Sequence, residues 1–313
     1  MTTKRLSQAL LLASALVVTA RAEDSTNKTD YTLLNPVPAA LMREWHTDHA
    51  GVSPYTVDAG HYEADIYALQ YQQRDDTYRN PRYYALPPLV YAVGAWTYGA
   101  MNLKAGLLNN LDAEVTIVPY ETVTQTWKGI GLNERSTSSG FGDTTARLKL
   151  NVWGDDGKTT ALSVSGVVKF PTAADNLGSG LYEGGPSIEF AARLPYGFEL
   201  RVDSAVMLDQ TSDWNAAFEN LLSVSHRITG NLEGFCVFDT VTYATSGNLF
   251  MIIEPGPHGL FVGEAVKSTW SAVIEPGLNY RLKENVELFA LAGFGVNGAV
   301  YDYNPAVGID VRF

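Results

Sequence analysis

From about residue 60 to the end, the chain alternates apolar and polar side chains at every second position, the period of a β-strand whose residues face opposite sides in turn. In "TARLKLNVW", Ala146, Leu148, Leu150 and Val152 share one face, while Thr145, Arg147, Lys149 and Asn151 share the other. Gly154-Asp155-Asp156-Gly157 follows, built of residues that tolerate the positive φ of a tight hairpin. The return strand sets Leu162, Val164, Val168 and Phe170 against Ser163, Ser165 and Lys169. The next hairpin turns at Pro195-Tyr196-Gly197 and repeats the pattern, with Ile188, Phe190, Leu200 and Val202 opposite Glu189, Arg193, Glu199, Arg201 and Asp203. The closing "YNPAVGIDVRF" places Val307, Ile309, Val311 and Phe313 on one face and Asp310 and Arg312 on the other.

Extended along the chain, this pattern predicts strands near 61–72, 90–105, 111–124, 142–153, 158–170, 184–194, 198–210, 214–228, 231–243, 268–282, 285–298 and 303–313. The count is even, and each strand is eleven residues or longer, enough for the roughly 9–11 that a tilted strand needs to cross the hydrocarbon layer. Connections at Gly106–Asn110, Gly154–Gly157, Pro195–Gly197, Thr229–Gly230 and Lys283–Glu284 are short. Those at 73–89, 125–141, 171–183 and 244–267 are long, with 211–213 and 299–302 as short exceptions. Short turns at one end and long loops at the other characterise membrane barrels, and an even strand number returns both termini to the short-turn end. A soluble β-sandwich or lipocalin-like barrel shares the alternation with the faces exchanged, apolar inward. Period two carries no sign, so it cannot choose between them.

The start of the chain bears on that choice. A basic head (Lys4, Arg5), an apolar run from Leu10 to Val18 and the small-x-small triplet Ala20-Arg21-Ala22 read as an export signal over residues 1–22, cut before Glu23. The remainder carries 19 basic and 34 acidic residues, a formal charge of −15. That balance excludes a nucleic-acid partner, which needs a basic stripe. One cysteine, Cys236, excludes an intramolecular disulfide framework. With no further long apolar run, an exported chain of this kind enters a membrane only as a closed sheet.

The residues also carry a resemblance. "SPYTVDAGHYEADI" (Ser53 to Ile66), "SGFGDTTARLKLNVWGDDGKTTALSVSGVVKFPT" (Ser139 to Thr172), "LPYGFEL", "DWNAAFENLLSVSHRITGNLEGF" and "YNPAVGIDVRF" resemble the bacterial family labelled "putative MetA-pathway of phenol degradation", over about residue 40 to the end. The resemblance implies an outer-membrane barrel for uptake or efflux of small, often hydrophobic molecules. The terminal Phe313 resembles the end signal read by the barrel-assembly machinery. Where the family has an acidic Asp-Arg-Pro-Asp-like run, this chain has "HTDHAGVSP" (His46 to Pro54).

These readings combine into an all-β fold: a transmembrane antiparallel up-and-down barrel of about twelve strands over residues 61–313. Residues 23–60 precede it as a periplasmic tail or a lumen insert. The expected function is passage of small organic molecules, hydrophobic or aromatic among them, across the outer membrane of a Gram-negative bacterium. Outer-membrane lipid and the assembly machinery are the other expected partners. Candidate lumen residues are Arg147, Lys149, Lys169, Glu189, Arg193, Glu199, Arg201, Asp203, Glu275, Arg281, Glu287, Asp310 and Arg312, whose opposite charges can pair across a ladder. His46 and His49, three residues apart beside Glu44 and Asp48, are the candidate metal ligands; a solvated or plug-forming segment is the alternative. No cofactor or catalytic set is expected. Two rival classes are a barrel with no open path and a membrane-embedded hydrolase, for which Ser225 with His226, or His258 with Glu254, would be the candidates.

Overall fold

The computed structural model describes residues 31–48, 52–78, 89–129, 132–154, 159–175, 177–209, 216–243, 270–297 and 301–313. The expected export signal, the loop at 244–267, His49, His258 and Glu254 lie outside them. Fourteen strand segments follow in order: β1 (Tyr62–Tyr78), β2 (Leu89–Leu108), β3 (Leu111–Ile117), β4 (Tyr120–Gly129), β5 (Leu132–Gly140), β6 (Thr144–Trp153) and β7 (Thr160–Phe170). Then come β8 (Glu183–Arg193), β9 (Phe198–Asp209), β10 (Ala216–Arg227), β11 (Leu232–Tyr243), β12 (Trp270–Lys283), β13 (Val286–Asn297) and β14 (Tyr303–Arg312).

Neighbours in sequence pair antiparallel, and β1 pairs with both β2 and β14, so the sheet closes on itself and keeps no edge along most of its wall. Two staves are broken in the middle. The lower part of β2 pairs with β3 and its upper part with β4; β3 in turn pairs with β6, and β4 with β5. Segments β3 and β4 are thus one stave, β5 and β6 another, and the barrel has twelve. The first break falls at Val118-Pro119, where proline has no N–H for the ladder. Opposite it, Gly142 N donates to Val118 O at 2.9 Å, and the connection after β7 covers the gap: Ala173 N donates to Asp143 Oδ1 (3.1 Å) and Ala174 N to Phe141 O (2.8 Å).

The structure corrects two expected loops. Residues 73–78 and 89 of the first and nearly all of 125–141 are strand, because β1 and β2 continue past the body of the barrel and β4–β5 form a hairpin there. Both faces of that hairpin are wet, so apolar alternation disappears while β-branched residues still favour extended backbone. Thr122 with Ser139 and Thr124 with Thr137 are bonded across it, each at 3.1 Å.

Closure also decides the faces. Ile188 is 55% exposed and its neighbour Glu189 is fully buried; Leu278 is 50% exposed and Asn279 is 2%. Leu148 beside Lys149, Leu222 beside Ser223, and Leu288 beside Glu287 repeat the arrangement. In a barrel one layer thick, the buried face is the lumen. The polar residues therefore point inward and the apolar ones outward, the reverse of a soluble barrel and the polarity that a lipid-facing wall requires. Aromatic pairs stand around the end away from the short turns: Trp96 with Tyr98, Tyr98 with Tyr120, Phe170 with Tyr182, and Phe294 with Tyr303. Both the first strand and the last residue meet at the opposite end, where Phe313 N donates to Tyr62 O at 2.9 Å.

Candidate functional site

The candidate site is the lumen together with the segment 43–58, whose described residues, 43–48 and 52–58, lie in its short-turn half. The segment is tied to the wall at its base by backbone contacts. Gly60 N donates to Gly106 O (2.9 Å), and Gly106 N to His61 O (3.0 Å). A Cβ on Gly106 would stand 2.1 Å from Asp58 O, so only glycine on β2 allows this approach.

Above the base, ion pairs hold the segment. Asp58 accepts from Arg43 Nε and from Arg312 Nη2 of β14, each at 2.5 Å. Lys104 of β2 lies 2.7 Å from Asp48 of the segment and 2.7 Å from Asp65 of β1. Main-chain oxygens serve as well: Lys149 Nζ donates to Ser53 O (3.0 Å), Asn151 to Pro54 O (2.8 Å), and Arg201 Nη1 to Thr47 O (2.6 Å). Thr47 Oγ1 donates to Glu287 Oε1 at 3.2 Å, and Arg312 Nη1 donates to Arg43 O at 3.0 Å. Strands β2, β6, β9, β13 and β14 thus all bond one segment. Buried charges of this kind are costly alone and tolerable when each has a partner.

Glu44, His46 and Tyr55 form a second group. Arg193 of β8 donates through Nη2 to Glu44 Oε2 at 2.8 Å, and Arg227 of β10 donates through Nη2 to Oε1 at 3.1 Å. His46 stacks on Tyr55 with ring centroids 4.0 Å apart, and its Nε2 lies 3.2 Å from Arg193 Nη2. A guanidinium only donates, so this imidazole nitrogen is the acceptor. Burial, and then the charges of Arg201, Arg193, Arg227 and Arg281, hold the His46 pKa well below the ordinary histidine value. Burial by itself would raise the Glu44 and Asp48 carboxyls. Hydrogen bonds and charges from Arg227 and Arg193 outweigh it at Glu44, and Lys104 and Lys149 outweigh it at Asp48, so both lie below the usual carboxylate range.

A cavity of about 420 Å³ opens beside this group, lined by Trp45, Leu194, Phe198, Arg193, Arg201, Arg227 and Arg281 among others. Glu199 pairs with Arg201 at 2.7 Å, and Glu287 with Arg281 at 3.5 Å.

Farther from the short turns, the wall changes character. Glu189 on β8 faces Asp203 on β9 directly, and Asp239 on β11 lies across Leu221 from Asp203. Glu219 and Glu275 continue the acidic band on β10 and β12. Glu189 accepts from the hydroxyls of Ser163, Ser165 and Ser187, and Arg147 stands 3.9 Å away. Tyr301 donates to Glu275. Inside the same wall, Leu221, Phe235, Val237 and Leu291 pack together as an apolar patch.

Of the residues singled out from sequence, Lys149, Glu189, Arg201, Glu287, Asp310 and Arg312 lie buried on the lumen face. Arg193, Glu199 and Arg281 line the cavity, Arg147, Asp203 and Glu275 belong to the acidic region, and Lys169 pairs with Glu183 and Asp143 at the end away from the short turns. His46 faces an arginine, and among the described residues no three His, Cys, Asp or Glu side chains converge as metal ligands. Ser225 is buried in the lumen wall, and His226 stacks on Phe198 at 4.3 Å. Sequence reasoning missed Glu63, Asp65, Lys104, Asp112 and Glu114. All lay inside expected strands, and Asp112 and Glu114 alternate with Ala113 and Val115, so the same parity rule reaches them.

The architecture is that of an outer-membrane-type β-barrel with a polar lumen. The family described as "Putative MetA-pathway of phenol degradation" matches residues 49–313, and the chain belongs to it. Among solved structures, the chain is similar to the COG4313 outer membrane channel from Pseudomonas putida F1, at 12% identity and a TM-score of 0.54, covering 86% of this chain and 100% of that one. It also matches the NanC porin at 9% identity and a TM-score of 0.45, covering 80% of this chain and 100% of that one. The translocator domain of the autotransporter NalP from Neisseria meningitidis matches at 12% identity and a TM-score of 0.44, covering 80% of this chain and 88% of that one. No curated protein matches in sequence.

Proposed function

We propose that the chain is an outer-membrane channel for small organic molecules, hydrophobic or aromatic among them, and that residues 43–58 form a plug that shifts to admit them. The observation that carries this reading is the filling of the lumen. A barrel built only for rigidity could pack its centre with wall side chains. Here the short-turn half is filled by a separate stretch of chain, held to the wall by ion pairs and hydrogen bonds. Polar ties of that kind exchange readily with water when a segment moves, whereas an apolar core does not. The Leu221–Phe235–Val237–Leu291 patch supports an apolar or aromatic solute, since it offers such a molecule contact inside an otherwise polar wall.

Export through residues 1–22 and recognition of Phe313 by assembly machinery complete the proposal. The reading contains no catalytic step of the protein's own. Liposome swelling with phenol, benzyl alcohol and aliphatic solutes of matched size tests it: passage faster for the aromatic solutes is expected, and liposomes that admit none of them would overturn it. An esterase activity of the purified barrel that disappears in Ser225→Ala would favour the hydrolase instead.

A further inference from the structure

Glu44 sits where a bound carboxylate would sit. Its two oxygens take one guanidinium N–H each from Arg193 and Arg227, on strands β8 and β10. Arginine's planar fork matches a carboxylate in this way, and both pairs here are partly exposed, so each is worth only about 0–1 kcal/mol. Glu199 and Glu287 are carried by the wall, Glu199 pairing with Arg201 at 2.7 Å and more loosely with Arg193 at 3.9 Å and Glu287 with Arg281, whereas Glu44 is carried by the segment and can leave with it.

The adjoining cavity of about 420 Å³ falls within the size range of small-molecule sites. Its apolar lining is Trp45, Leu194 and Phe198. Trp45 is only 7% exposed, and its indole Nε1 has no hydrogen-bond partner among the described residues. A buried donor left unpaired costs roughly 1–3 kcal/mol, which a ligand offering an acceptor there would recover.

We propose that this cavity binds a small aromatic monocarboxylate, whose carboxylate takes the place of Glu44 between Arg193 and Arg227 and whose ring lies against Trp45. Occupation removes both ties of Glu44 to the wall, so the same molecule that fills the cavity loosens the plug. The inference rests on the channel reading for its role, but binding itself is measured without any passage.

Benzoate and its neutral counterpart benzamide are titrated calorimetrically into the detergent-purified full chain. Benzoate is expected to bind and benzamide to bind at least about tenfold more weakly, a difference of about 1.4 kcal/mol. Glu44→Gln removes the internal competitor and leaves the wall intact, so benzoate affinity rises, again by about tenfold. Arg193→Lys and Arg227→Lys keep the charge but lose the fork, and affinity falls. Equal binding of the two ligands, a weaker grip on benzoate in Glu44→Gln, or no binding of benzoate to that variant overturns the proposal. Phenol passage that survives such a result leaves the channel reading standing; benzoate binding in a barrel that passes nothing removes the channel reading alone.

Discussion

In the half of the lumen next to the short turns, charges of opposite sign lie together, and many of the carboxylates come from residues 43–58. In the half beyond it, carboxylates face carboxylates: Glu189 opposes Asp203, Asp239 lies across β10 from Asp203, and Glu219 and Glu275 flank them. The first arrangement holds the segment at rest, because a member of a pair that leaves exposes its partner until water takes its place. The second is tolerable only where hydroxyls, as around Glu189, or water and counter-ions occupy the space between like charges. One half of the barrel is therefore suited to hold a segment and the other to hold solvent and attract cations.

The largest expected effect breaks the paired half. Lys104→Met leaves Asp48 and Asp65 without the ammonium between them, and loss of one partner from a buried ion pair costs about 3–5 kcal/mol. Urea unfolding in lipid and protease cleavage within residues 43–58 read this directly, with cleavage expected in the variant and resistance in the parent. Asp58→Ala removes the carboxylate shared by Arg43 and Arg312 but leaves Arg312 its pair with Glu63 at 3.6 Å and Arg43 its bond to Thr56 O at 3.1 Å, so it is expected to cost less, at the base of the segment. Unchanged protease resistance in both variants would show that the ion pairs do not hold the segment.

Acid offers a graded version. The docked His46 has a pKa below its value in water, so the released segment binds the extra proton. Docking is fully favoured above pH about 6.5 and weakens by up to about 1.4 kcal/mol per unit as the pH falls below it, until the docked imidazole itself titrates. Glu44 and Asp48 are depressed carboxylates, and their contributions fade in turn as the pH drops below the solvated values. All three act in one direction. Conductance in planar bilayers is expected to rise between pH 7.5 and 5, and His46→Gln to flatten the upper part of that rise.

The smallest effect belongs to the acidic half. Asp203→Asn with Asp239→Asn removes two charges from a wetted wall, where each is worth about 1 kcal/mol or less to a passing cation. A reversal potential measured across a salt gradient is expected to move towards zero by a modest amount. A shift as large as that produced by changes in the paired half would mean that the two regions do not divide the work.

Much of the barrel was legible before any coordinates. Alternation located all twelve staves, and the short turns fell near Gly106–Asn110, Gly154–Gly157 and Pro195–Gly197, where β2–β3, β6–β7 and β8–β9 turn. The extensions of β1–β2 and of β4–β5 were not legible, because apolar alternation records burial of one face and stops where water reaches both. Arg193 and Glu199 could be marked as inward candidates by parity. Their partners could not: Glu44 lies 149 residues from Arg193 and 183 from Arg227, and no local pattern encodes a contact over that distance.

The sequence by itself determined a two-faced strand repeated twelve times, since the periodicity of side chains is a local property of extended backbone. It left open which face looks outward, because exchanging inside and outside leaves the period unchanged. Only closure of β1 on β14 decided that, by making one face a lumen. The tertiary structure also decided that residues 43–48 and 52–58 lie within that lumen, because their many polar groups find partners where several distant strands present theirs together.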